Sequence, residues 1–180
     1  MKSCDDVESR IRLHRKIFFT GDSKCLQELM GIIGSCDRRT LVLWALDCSE
    51  SIESLIRQKT GEPPEPENIT DICRKWAQGV IKMPEARRAI LAAHSMAKRT
   101  EDKSLEALYH ALGQACSTVH TPAHAPGLIY YELTSIVIDE DYINYEKSIS
   151  EKIEWYLSRL RYWKSESQSE SYVWAVFLKP

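Results

Sequence analysis

Apolar residues recur at three- and four-residue intervals along most of the chain, the spacing of one face of an α-helix. The clearest run lies between Asp37 and Lys59, where Leu41, Trp44, Ala45, Cys48, Ile52, Leu55 and Ile56 share a face. Asp37 is placed to cap that helix and Gly61 to end it. A second strong pattern, Leu105, Leu108, Leu112, Ala115, Cys116 and Val119, predicts a helix over residues 101–121. Between them, Pro84 opens a helix whose buried face would be Ala86, Ala89, Ile90, Ala93 and Ala97, small enough for a neighbouring helix to approach closely.

The remaining periodicity predicts five more segments. These are a helix over 5–19 with Val7, Ile11, His14 and Phe18 on one face, a short helix from Cys25 to Gly34, and one from Asn68 with Ile69, Ile72, Cys73, Trp76 and Val80 inward. The stretch "GLIYYELTSIVI" reads as helix in preference to strand, because its length and setting outweigh its β-branched residues. A last helix over 141–163 turns Ile143, Ile149, Ile153, Tyr156, Leu157 and Leu160 inward. The prolines of "GEPPEPEN" preclude helix and leave an acidic loop. The expected architecture is all-α: a single-domain multi-helix bundle or α-solenoid-like array of about seven helices over residues 1–164, followed by a polar linker and an apolar tail in 165–180. The tail "YVWAVFLKP" is too apolar to stay in water, and is expected to dock on the domain or on a partner chain, which would make a homo-oligomer.

Composition narrows the classes of function. A net charge of −2 with no long block of one sign argues against a nucleic-acid binder that works through a basic surface. No apolar stretch is long enough for a membrane span, and the polar start "MKSCDDVESR" lacks the apolar core of a signal peptide. A cytoplasmic protein is therefore expected, with its six cysteines as free thiols, since none pair as CxxC. No phosphate loop, dinucleotide fingerprint, nucleophile elbow or zinc pattern is present, and no cofactor is expected. The last third is rich in Tyr and Trp, and any that stay exposed would mark a protein-binding face.

Three features carry candidate chemistry. His120 and His124 are four apart, a metal-binding spacing within one helix. Pro122 lies between them, however, and its ring would clash with the Thr118 carbonyl, so one helix should end near His120 and another begin at Pro122. Pro126 should disturb the new helix in turn. Cys116 and His120 have the spacing of a nucleophile–base dyad, but Cys116 shares the core face with Leu112 and Val119. Asp47 follows an uncharged run and needs a partner, for which Arg87 or Arg88 is suited. Of the other histidines, His94 sits near the alanine face and should be buried, while His110 lies off its apolar face and should be exposed.

Three segments, "LVLWALDCSESI", "PEARRAILAAHSMAKR" and "ALGQACSTVHTPAHAPGLIYYEL", together resemble the bacterial putative immunity protein family of the immunity-five-like kind, over residues 37–138. The resemblance implies an all-helical protein of a toxin–immunity system that binds and neutralises a toxin through a protein–protein contact. The family's pattern falls on Asp47 and Cys48, on Glu85, Arg87, Arg88 and His94, and on Gly113, His120, His124 and Gly127. The chain departs from it at Gln114, where the family has histidine, and at Pro126, where it has leucine. The first departure removes a ligand or base from any metal or catalytic site; the second sharpens the kink. The competing expectation is an enzyme that binds a metal or small ligand through His94, His120, His124 and Asp47, and it requires those four side chains to meet in one pocket.

Overall fold

The computed structural model describes residues 5–167 and 172–179; the Asp5 side chain, Cys4 and part of the expected polar linker lie outside the described residues. The described residues form eight α-helices: α1 (Asp5–Arg12), α2 (Gln27–Ser35), α3 (Arg38–Thr60), α4 (Ile69–Ala77), α5 (Met83–Ala97), α6 (Lys103–Ser117), α7 (Ala125–Asp139) and α8 (Glu146–Glu166). Three short 3-10 turns, Lys24–Leu26, Pro122–His124 and Val176–Leu178, complete the regular structure, and the described residues contain no strand. The protein is a multi-helix bundle, and none of its described helices is long and apolar enough to cross a membrane.

Helix α3 organises the bundle because both of its sides are apolar. Leu41, Trp44, Ala45 and Cys48 pack into one core with α2, α7 and α8. Val42, Leu46, Ile52 and Ile56 pack into a second with α4, α5 and α6. Its ends follow local chemistry. The Asp37 carboxylate accepts from the Thr40 backbone N–H, and Gly61, at φ 77°, closes the helix in a left-handed conformation that carries no Cβ penalty. Helix α6 lies centrally, with α3, α5 and α7 around it. The alanine face of α5 is buried as its spacing predicts, with Ala86, Ala89, Ile90, Ala93 and Ala97 all in the core.

The first predicted helix is shorter than expected. It stops at Arg12, His14 takes φ 50°, and the Phe18 backbone N–H donates to Thr134 Oγ1 on α7. A contact 116 residues away decides the conformation there, and local periodicity does not register it. Val80 and Ile143, expected inward, lie beyond the ends of α4 and α8 and are exposed. The paired prolines behave more mildly than expected. The chain breaks at Pro122 as predicted, but α7 begins at Ala125, so Pro126 falls within its first turn, where a missing N–H costs nothing.

The tail lies on its own domain. The Ala175 N–H donates to the Ala77 carbonyl at 2.8 Å, and Arg39 Nε donates to the Leu178 carbonyl at 2.8 Å. Phe177 packs on Trp76, and Leu178 is buried in the second core. Arg38 connects the tail to the C-terminus of α6 by donating to the carbonyls of Phe177, Val119 and His120. A guanidinium at that end also complements the helix dipole.

Candidate functional site

Helix α6 carries His110, Gly113 and Gln114 on the turns that face both α5 and α7. The two glycines of this region make room for polar side chains. A Cβ on Gly113 would lie 2.5 Å from the His94 imidazole, and one on Gly127 would lie 2.7 Å from Gln114 Oε1. His94, from α5, crosses over Gly113 to place its Nδ1 3.1 Å from His110 Nδ1. His124, from the turn before α7, bonds Gln114 Oε1 through Nδ1 at 2.8 Å. Tyr131, one helical turn beyond Gly127, covers His110 with ring centroids 4.9 Å apart. A half-buried ladder of His94, His110, Gln114, His124 and Tyr131 thus runs along α6.

The electrostatics favour neutral imidazoles. Burial lowers the pKa of His94, and the neighbouring His110 and His124 lower it further. Burial is also the main cause of the lowered values of His110 and His124. Glu106 opposes the shift at His110, while Lys16 and Lys98 reinforce it. The geometry agrees, because an Nδ1 to Nδ1 hydrogen bond needs one protonated and one bare nitrogen. The unfolded chain therefore binds more protons than the folded one as pH falls below the ordinary histidine value of 6.5, and stability from this cluster, full above 6.5, is lost below it. Thermal melts should show a lower midpoint at pH 5 than at pH 7.5, and His94→Asn should shrink that difference. An equal pH dependence in the variant would show that the pair is not its source.

The expected four-residue pocket is not formed. His94 and His124 join the ladder, but Asp47 faces α8 from the other side of α3. There its Oδ2 accepts from Arg159 Nε at 2.5 Å and from Trp163 Nε1 at 2.7 Å. Arg87 and Arg88 do not supply its partner, because α5 packs on α4 and α6 and both arginines point to solvent. Glu85 is likewise exposed, and none of the three makes an ion pair among the described residues. His120 is exposed and stacks on Trp76 with ring centroids 6.0 Å apart, whereas Cys116 is fully buried and its thiol pKa is pushed well up by Cys73 and by burial. Among the described residues no three His, Cys, Asp or Glu side chains are grouped to hold a metal ion.

Two polar side chains are more buried than the sequence pattern predicts, one in the ladder and one outside it. His110 is half-buried, because α5 and α7 cover both flanks of α6. Glu132 is fully buried on α7, where Tyr156 Oη donates to its Oε2 at 2.5 Å and Lys152 Nζ lies 2.5 Å from its Oε1 as an ion pair. The signal for Glu132 was present: it is the one charged residue between Ala125 and Ile138.

The chain belongs to the Imm-5 like putative immunity protein family, whose profile matches residues 31–161. The match extends the resemblance seen in the sequence in both directions, from the middle of α2 into α8. No curated protein and no solved structure matches the chain.

Proposed function

We propose, from membership of this family, that the protein is a bacterial immunity protein that acts in the cytoplasm by binding and neutralising a cognate toxin. The family match is the observation that carries this reading. The outer face of α5, inside the matched segment, supports it. Met83 and Leu91 are 44% and 54% exposed there, each four residues from Arg87 on either side of it. Glu85 and Arg88 flank them with charges free of ion pairs among the described residues. Exposed apolar side chains bordered by arginine are the composition of a protein-docking face. The ladder of His94, Gln114 and His124 holds α5 against α6 and α7 behind that face, so its role is positional.

The test is co-expression with any toxin-like protein encoded beside this gene. Restored growth and a stable complex on size exclusion are expected, with Met83→Asp/Leu91→Asp weakening the complex. Neither protection nor a complex with any neighbouring toxin-like protein would overturn the proposal.

A further inference from the structure

A cleft of about 740 Å³ opens between the segment after α1, the first half of α6 and the second half of α7. His110 and Tyr131 of the ladder both contribute to its wall, and the described lining includes no residue of α5. Its volume is in the range of pockets that take small organic ligands. Ile11, Phe18, Ala107 and Ile138 make the interior apolar, and Tyr131 and Tyr142 add flat rings. The folded segment itself shapes the cavity: the turn at His14 and the bond from Phe18 N–H to Thr134 hold residues 14–18 along the rim instead of continuing α1.

Charge selects the occupant. Among the described residues, Arg15, Lys16 and Lys103 line the cleft against one carboxylate, Glu106. That carboxylate is already taken by Lys103, whose Nζ lies 2.7 Å from its Oε2. Arg15 and Lys16 are exposed and make no ion pair among the described residues. Lys16 and His110 both line the cleft, and the Lys16 charge helps to lower the His110 pKa. Two unneutralised cations at the mouth of an apolar, ring-lined cavity suit a ligand with an apolar body and one anionic head.

We infer that this cleft is a binding site for an amphipathic small-molecule anion, an aromatic or aliphatic body bearing a carboxylate or sulfonate, with the head held by Arg15 and Lys16 and the body between Phe18, Tyr131 and Tyr142. The site is separate from the proposed docking face, and neither proposal depends on the other.

The test uses two dyes of similar body, 1-anilinonaphthalene-8-sulfonate and its uncharged relative N-phenyl-1-naphthylamine. Fluorescence titration of the full chain should show saturable binding of the sulfonate dye and weaker binding of the neutral one, and NMR titration with the sulfonate dye should show amide shifts at Ala107 and Ile138 but not at Val80. Arg15→Glu/Lys16→Glu should weaken the sulfonate dye by about tenfold or more, the effect expected of reversing two solvent-screened charges, and leave the neutral dye unchanged. Both side chains are exposed, so the variant should keep the circular dichroism and thermal midpoint of the parent. No saturable sulfonate binding, equal binding of the two dyes, or sulfonate binding unaffected by the charge reversal would each overturn the assignment.

Discussion

Lys152→Ala should lower stability by about 3–5 kcal/mol, the usual cost of stranding one member of a buried ion pair. Glu132 is fully buried, and the Lys152 side chain is only 14% exposed. The carboxylate has two partners, and one of them, Tyr156, is neutral. Burial and the adjacent Glu132 push the Tyr156 phenol pKa well up, so it keeps its proton and donates it. Lys152 is thus the cation that balances the charge, and its ammonium also lies 4.1 Å from the centroid of the Trp155 ring. Removing it leaves Glu132 Oε1, which makes no aligned hydrogen bond, buried without its counter-charge. For a chain of this size the loss corresponds to a fall of roughly 6–20 °C in thermal midpoint. Glu132→Gln/Lys152→Met removes both charges and keeps an acceptor for Tyr156, so it should recover most of the loss. A Lys152→Ala variant that loses less than about 1 kcal/mol would show that Glu132 is satisfied without it.

Much of the fold was legible because most helices here declare themselves locally. The 3-4 spacing and the Asp37 cap fix α3, the small-residue face fixes α5, and Pro122 marks the break after α6. The site was less legible, because it depends on which helices touch. Asp47 needed a basic partner, and the sequence offers several; only the packing of α3 on α8 selects Arg159 over Arg87 or Arg88. His110 sits off the main apolar face of α6, and a single helix viewed alone would leave it in water. Burial on two flanks is a property of the bundle. The early end of α1 has the same origin, since Thr134 on α7 captures the Phe18 N–H. The glycines at 113 and 127 are the converse case. Each sits where a side chain from elsewhere must pass, which no local pattern encodes.

Trp44→Ala should be as damaging as Lys152→Ala, at about 3–5 kcal/mol, because it empties the largest fully buried side chain from the first core. Urea unfolding followed by circular dichroism measures it, with a lowered midpoint and an unchanged slope. The indole is fully buried, its Nε1 donates to the Tyr156 carbonyl at 3.2 Å, and its ring meets Tyr156 edge-on with centroids 5.7 Å apart. Trp44→Phe keeps a ring against Tyr156 and should cost roughly half as much. Tyr156 links this contact to the buried charge, because its hydroxyl serves Glu132 and its ring lies 5.1 Å from Lys152 Nζ. The cavity left by Trp44→Ala lets Tyr156 shift, and a shifted phenol can no longer hold the carboxylate in line with Lys152. The two substitutions should therefore not add: the double variant should differ from the sum of the single losses by about 1 kcal/mol or more. Additivity within about 0.5 kcal/mol would mean that α8 is held to α3 and to α7 by independent contacts, and that Tyr156 does not couple them.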